Sequence, residues 1–125
     1  MSALASRVDQ SRAAADRQTY TYQVPASVDA SVQSITISEL TAEEELMATK
    51  RVGGDILKLA SELPKQALFA VNGNRVTLAD GSADKAWAAM RPQLRRLVMT
   101  AFDRVHNPKD VDVDDFLKSQ EVSVG

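Results

Sequence analysis

The stretch ADKAWAAMRPQLRRLVMTAFDRV, residues 83–105, decides the fold that we predict for this chain. Its large apolar residues recur at steps of three and four, which places them on one wide stripe of a helix. They are Trp87, Met90, Leu94, Leu97, Val98, Ala101, Phe102 and Val105. The opposite face is polar and mostly basic. Because Pro92 lies inside the stretch, we expect a kink there, or a division into a short piece with Trp87 and a longer piece from Pro92 to Val105.

Length and composition limit the classes of protein that the chain can represent. A chain of 125 residues suffices for one domain with one modest core. Basic and acidic residues are interspersed and the net charge is -2, which argues against nucleic acid as a partner. With no cysteine, the chain has neither disulfides nor thiolate metal sites. The first eight residues lack the apolar core of a secretory signal, and no apolar run approaches the roughly 20 residues of a membrane span. These features predict a soluble cytosolic protein without a membrane partner.

The N-terminal segment, residues 1–34, differs in composition from the rest of the chain. It is rich in Ala, Ser, Gln, Asp and Arg, with too few apolar residues to assemble a core by itself. Residues 19–24 contain strand-forming residues in alternation, among them Tyr20 and Tyr22. We predict an arm over residues 1–34, either mobile or ordered by a partner, and a helical domain over residues 35–125.

Local signals divide the helical domain further. Residues 34–38 alternate as a strand, and Thr41 with Glu44 has the spacing of a capping box that starts a helix. We expect Gly53-Gly54 either to break this helix, with Asp55 starting a second one, or to allow close packing of another backbone. Pro64 is expected to end the helical region. The predicted inner face consists of Leu46, Thr49, Gly53, Ile56, Leu57, Ala60 and Leu63.

Turn residues predict the remaining elements. Asn72-Gly73 between two apolar runs indicates a hairpin over residues 69–78, because both residues tolerate positive φ. Near the C-terminus we expect a short helix from Val113 to Ser119, with Phe116 and Leu117 facing inward, and a final strand over residues 121–124. The predicted fold is therefore mainly α: a small helical domain with a short β-hairpin and an extended N-terminal arm.

The sequence offers little for catalysis or metal binding. His106 is the only histidine, and at a helix end its favoured partner is one of the last backbone carbonyls. One histidine without cysteine excludes a histidine-based zinc site. Asp110, Asp112 and Asp114 alternate as in an EF-hand, but Asp115 stands where the loop requires glycine. We therefore expect no catalytic, cofactor-binding or metal-binding residue, and predict that the chain is not an enzyme.

A series of short stretches in a fixed order carries a resemblance to a known family. They are residues 35–41 (ITISELT) before an acidic helix, Gly53-Gly54-Asp55, residues 71–76 (VNGNRV), Trp87, residues 92–98 (PQLRRLV), Phe102, His106-Asn107-Pro108 and Asp115-Phe116-Leu117 with a valine-rich end. In this order they resemble the small tail assembly chaperones of tailed phages. The resemblance covers residues 35–124, and no counterpart exists for the arm.

The resemblance implies a non-catalytic protein, acting in the host cytoplasm, that binds the tape-measure protein and tail-tube subunits during tail morphogenesis and is absent from the finished particle. It implies no cofactor, and a homo-oligomer is compatible with it. Helix-in-groove contacts suit a long, apolar, helical tape measure. The candidate contact residues are Val52, Leu59, Leu68 and Met99, together with Tyr20 and Tyr22 of the arm. The alternative is a structural subunit retained in a virion or similar assembly, which uses its N-terminal arm for subunit contacts.

Overall fold

The computed structural model describes the backbone of residues 17–124 and the side chains of residues 17–119. The elements, in chain order, are β1 (Thr19–Gln23), β2 (Ser34–Ser38), α1 (Ala42–Arg51), α2 (Ile56–Ala67), β3 (Leu68–Val71), β4 (Asn74–Arg75), α3 (Ser82–Ala89), α4 (Pro92–His106) and α5 (Asp110–Val124). Residues 1–16, the first part of the predicted arm, lie outside the described residues.

The strands form one antiparallel sheet in the order β1-β2-β3-β4. The chain is therefore mixed α/β, and the prediction of a mainly α fold with a single hairpin is wrong in this respect. The hairpin itself is confirmed, because Asn72 and Gly73 adopt φ of 53° and 78° and connect β3 to β4. What the prediction lacked is the pairing of β1 and β2 with this hairpin. Such long-range pairing leaves no signal in local periodicity.

Part of the predicted arm belongs to this sheet. Tyr22 of β1 pairs with Ile35 of β2, and the Val24 amide donates to the Gln33 carbonyl at 2.8 Å. The loop that follows is fixed by Asn72, whose side-chain oxygen accepts from the Gln33 amide at 2.6 Å. The expected strand over residues 19–24 is thus present, and it is ordered by its own chain in the structure.

The helix starts predicted for α1 and α2 are confirmed, and so is the break between them. Thr41 and Glu44 form the capping box, and the Asp55 side chain accepts from two amides at the start of α2. Gly53 and Gly54 separate the helices with φ of 63° and 79°, which glycine adopts without a steric penalty.

The predicted end of this helical region is wrong. Pro64 lies inside α2, which continues to Ala67. The proline ring is fully buried, and burial of its apolar surface offsets the loss of one backbone hydrogen bond.

The predicted inner face of α1 and α2 is also wrong for its large residues. Leu46, Ile56 and Leu57 are exposed, whereas Ala48 and Ala67 are fully buried. α1 packs on α2, and α4, α3 and β3 pack on α2 in turn, so that these contacts bury Ala48 and the C-terminal part of α2 and leave the large residues exposed. Periodicity identifies an apolar stripe but does not say how much of it the neighbouring elements cover.

The long stripe of residues 83–105 divides at Pro92, as one of the two expected outcomes. α3 carries Trp87, and Pro92 is the first residue of α4, where its missing amide costs nothing. The apolar side chains of α4 pack on the sheet beside Ile35, Ile37 and Leu68. Leu97 and Met99 lie outside this cluster, Leu97 with 41 % of its surface exposed and Met99 half-buried.

The C-terminal prediction is wrong in extent and in orientation. α5 runs from Asp110 to Val124, so that residues 121–124 are helical and do not form a strand. Phe116 and Leu117 point outward, with 61 % and 52 % of their surfaces exposed. The prediction placed Phe116 and Leu117 against a hydrophobic core. In the structure the core formed by the sheet and α4 does not extend to these two side chains.

Candidate protein-binding surfaces

The turn between α1 and α2 and the first part of α2 form an exposed apolar surface, which we call the α2 patch: Val52, Ile56, Leu57 and Leu59. Ile56 and Leu57 are the most exposed large apolar side chains among the described residues, at 80 % and 87 %. Val52 and Leu59 are half-buried beside them in the sequence. Exposed apolar groups that lie together are typical of surfaces that bind other proteins.

The α2 patch arises in part because the apolar stripe of α2, which includes Ile56 but not the neighbouring Leu57, extends beyond the core. Ile56, Ala60, Leu63 and Ala67 follow one another at helical spacing, so they share one face. Exposure falls along this face, from Ile56 and Ala60, which are exposed, through Leu63 to Ala67, which is buried. The first two turns of α2 therefore present an apolar stripe that nothing in the described part of the chain covers.

Helix α5 forms a second surface. All of its described side chains, Asp110 to Ser119, are exposed, and none belongs to the hydrophobic core. Val113, Phe116 and Leu117 share one side of the helix, at steps of three and four residues. We call these three residues the α5 face. A helix of this length is marginally stable alone in water, so packing against a partner would stabilise it.

A third surface is a groove of about 290 Å³ between β1 and α4, called here the β1–α4 groove. Tyr22, Val24 and Pro25 line one side, and Leu97, Thr100 and Arg104 the other. Its base is formed by Ile35, Leu94 and Ala101, which belong to the core. The groove is thus apolar at its floor, with a basic side chain at one end.

The six predicted contact residues do not lie together. Val52 and Leu59 belong to the α2 patch, Tyr22 lines the β1–α4 groove, and Met99 is half-buried on α4. Tyr20 is half-buried on β1, where its hydroxyl donates to Gln18 at 2.6 Å. Leu68 is 2 % exposed in the centre of the sheet, which contradicts its prediction as a contact point. The sequence did not show that Leu68 would be the first residue of β3, a short strand inside the sheet.

The most exposed apolar residues were missed as contact candidates. Ile56 and Leu57 were placed on an inner face, and so were Phe116 and Leu117 of α5. No sequence signal distinguishes them, because an apolar residue in the first turn of a helix fits a core position and an exposed position equally well.

Four charged side chains form a closed ring of ion pairs that joins α1, α2 and α3. Arg51 Nε lies 3.1 Å from Glu62 Oε1, and Lys65 Nζ lies 2.7 Å from Glu62 Oε2. Asp84 Oδ1 completes the ring at 3.1 Å from Arg51 Nη2 and 2.8 Å from Lys65 Nζ. Glu62 is 6 % exposed, and its Oε1 has this ion pair but no well-directed hydrogen bond.

The ring explains the direction in which the pKa shifts for two of its members, Lys65 and Asp84. Burial alone would lower the pKa of Lys65, but hydrogen bonds to Asp84 and Glu62 outweigh it and raise that pKa. Hydrogen bonds from Lys65 and Arg51 hold the pKa of Asp84 below its ordinary value. Opposite charges thus favour the ionised forms of Lys65 and Asp84. The ring connects the three helices α1, α2 and α3.

A cavity of about 480 Å³ lies beside this ring, and its lining includes three arginines, Arg17, Arg51 and Arg75. Each guanidinium is already engaged. Arg17 pairs with Glu44 at 2.9 Å, and Arg51 belongs to the ring. Arg75 stacks on the Phe69 ring at 3.7 Å and donates to the Phe69 carbonyl at 3.0 Å. The contacts of these side chains are accounted for by the fold itself.

His106 makes the backbone contact expected of a histidine at a helix end. Its Nδ1 lies 2.8 Å from the Phe102 carbonyl, and its Nε2 accepts from the Leu40 amide at 2.9 Å. With Nδ1 protonated, both ring nitrogens are satisfied. His106 thereby connects the end of α4 to the residue before the Thr41 cap.

The acidic residues of α5 lie on a continuous helix and not on a calcium-binding loop. Among the side chains of residues 17–119, no group of three or more His, Asp or Glu is arranged to hold a metal ion. None of the helices within residues 17–124 is long and apolar enough to span a bilayer.

The carboxyl group of Asp80 provides a test by pH. Its pKa is lowered from 3.8 to about 2, because it accepts from the Ser82 hydroxyl at 2.5 Å and the Ser82 amide at 2.9 Å. A lowered folded-state pKa means that the unfolded chain takes up the proton first. The stability contributed by these bonds is therefore present above pH 3.8 and is lost as the pH falls to about 2.

We expect Asp80→Asn to show a smaller loss of stability between pH 4 and 2 than the wild type, as measured by urea denaturation at each pH, since about pH 4 is the ordinary pKa of aspartate. The isosteric amide cannot bind a proton in this range. Identical pH profiles for the two proteins would contradict the assigned hydrogen bonds.

Comparison of the chain with protein-family models, with curated proteins and with solved structures found no match.

Proposed function

We propose that this chain is a non-catalytic tail assembly chaperone of a tailed phage, which binds the tape-measure protein and tail-tube subunits in the host cytoplasm. The proposal combines the sequence resemblance with one structural observation, the uncovered apolar stripe at the start of α2. Ile56 and Leu57 stand in water there, at 80 % and 87 % exposure.

The α2 patch suits a helical apolar partner. An amphipathic helix buries its stripe against the apolar side chains of another helix or groove. Burial of two large aliphatic side chains contributes roughly 1.5 to 3 kcal/mol each. The capping interactions of Asp55 hold the first turn of α2 in place before a partner arrives, so that little further ordering is required.

The binding test is co-purification of this chain with the tape-measure protein of the same phage. We expect Ile56→Asp with Leu57→Asp to abolish co-purification, because two carboxylates cannot be buried unpaired in an apolar contact. Folding should be unchanged, since both positions lie outside the core. Gln93→Asp, an exposed change on α4, is the matched control and should retain binding. Equal recovery of the double variant and the control would contradict the role of the α2 patch.

A structural subunit retained in the virion is the second candidate function, and the position of β1 favours it. β1 is an edge strand of the sheet, and an edge strand offers unpaired backbone groups to a neighbouring chain. Mass spectrometry of purified mature particles distinguishes the two functions. Absence of the chain supports the chaperone, and stoichiometric presence supports the structural subunit.

A further inference from the structure

The α5 face has a specific chemical character beyond its exposure. Between Asp110 and Ser119, four aspartates and one lysine flank the apolar residues. The helix therefore presents Val113, Phe116 and Leu117 within an acidic border. A complementary surface needs an apolar floor and basic residues at its edge.

The β1–α4 groove of this same chain has those properties. Tyr22, Val24 and Leu97 supply apolar walls, and Arg104 lies at the end of the groove. Arg96 is exposed next to Leu97 on α4. Leu97 is 41 % exposed at the mouth of the groove, so its side chain is accessible to an element that packs there.

The connection between α4 and α5 separates the helix from the groove of its own chain. It consists of Asn107, Pro108 and Lys109. Asn107 is extended, with φ of -104° and ψ of 135°, and the proline that follows disfavours the helical conformation at this residue. A return of α5 along α4 would require a reversal within these three residues. In the structure no described residue of α5 lines the groove, so the groove and the α5 face are both available to a second copy of the chain.

We propose that two copies of this chain form a symmetric dimer in which each α5 packs into the β1–α4 groove of the other. Phe116 and Leu117 fill the groove against Leu97, and the aspartates of α5 lie beside Arg96 and Arg104 of the partner copy. The contact is made twice, as twofold symmetry requires. The dimer leaves the α2 patch free, so this proposal does not depend on the proposed chaperone function.

The first test is the mass of the full-length protein in solution, measured by light scattering after size exclusion. The wild type is expected to be a dimer. Phe116→Asp with Leu117→Asp, and separately Leu97→Glu, are expected to weaken the dimer by more than about a hundredfold, since each places a charge in an apolar contact. Ile56→Asp with Leu57→Asp, on the α2 patch, is the matched control and should remain dimeric. Circular dichroism of each variant verifies that the fold is retained.

The second test is complementation by mixing. The variant with Phe116→Asp and Leu117→Asp keeps an intact groove, and the Leu97→Glu variant keeps an intact α5. A heterodimer of the two variants therefore retains one of the two wild-type contacts. We expect the mixture to form a one-to-one heterodimer although neither variant dimerises alone. Raising the salt concentration should weaken the wild-type dimer, because the border contacts are between opposite charges.

Three results would overturn the proposal. A wild-type chain that stays monomeric with slow hydrogen exchange in α5 means that the helix closes on its own groove. A monomer with fast exchange in α5 means that the helix serves a different partner. A dimer that tolerates Leu97→Glu means that α5 pairs with α5 and not with the groove.

Discussion

Leu94→Ala is expected to lower the free energy of unfolding by about 3 to 4 kcal/mol, the range found when a fully buried leucine is truncated and leaves a cavity. Leu94 is 0 % exposed and lies in α4, where it packs in the main core cluster. Its neighbours in that cluster belong to the sheet as well as to α4, so the cavity cannot close by a shift of one helix alone. Urea denaturation monitored by circular dichroism measures the change.

Leu97→Ala is the matched control, because it makes the same substitution three residues further along the same helix. Leu97 is 41 % exposed, and we expect a loss below about 1 kcal/mol at concentrations where the chain is monomeric. Both leucines belong to the apolar stripe that the sequence predicts, so the sequence alone does not distinguish a buried from an exposed position. Equal losses at both positions would contradict the packing of α4 described above.

Glu62→Ala is expected to lower the free energy of unfolding by about 2 kcal/mol, because it removes the buried carboxylate of the ring and takes one ion-pair partner each from Lys65 and Arg51. Lys65, whose side chain is 15 % exposed, would retain only Asp84. Arg51 would likewise lose one of its two carboxylate partners. Denaturant midpoints at neutral pH provide the measurement.

Glu45→Ala, at an exposed position in the first turn of α1, is the control for loss of a glutamate and should cost less than about 1 kcal/mol through the helix dipole. Combining Glu62→Met with Lys65→Met should cost less than the sum of the single changes, since it removes the paired charges together. A Glu62→Ala variant as stable as the Glu45→Ala control would show that the ring contributes nothing to folding.

The parts of the fold that the sequence predicted correctly have local causes. The capping box of Thr41 and Glu44 lies within four residues, and the break at Gly53-Gly54 needs only positive φ. Asn72-Gly73 encodes its own turn, and Pro92 determines where the long stripe divides. Each of these features depends on backbone preferences of one to four neighbouring residues, so no knowledge of the rest of the molecule was required.

The incorrect parts depend on what lies opposite each residue. The sheet joins β1 to β2 across a loop of ten residues, and nothing in that loop specifies the pairing. The prediction that Pro64 ends a helix rests on the backbone hydrogen bond that proline cannot donate. Burial of the proline ring compensates for the loss of that bond. The ion-pair ring joins Arg51, Glu62, Lys65 and Asp84 from three helices, and such a constellation has no sequence spacing to recognise.

The candidate surfaces were the hardest part to predict. An apolar residue at helical spacing fits a core position and a contact position equally well, and the difference is set by the size of the neighbouring elements. Leu68 was predicted at the surface and is buried, whereas Ile56, Leu57 and Phe116 were predicted inside and are exposed. A single modest sheet covers only part of the apolar surface that these helices carry.

Amide hydrogen exchange of this chain, with and without a helical fragment of the tape-measure protein, tests most directly whether the α2 patch is a binding surface. We predict slower exchange over residues 52–63 in the presence of the fragment, while β2, β3 and the buried side of α4 exchange as before. Unchanged exchange over residues 52–63 at saturating fragment, or protection confined to other elements, would contradict the account.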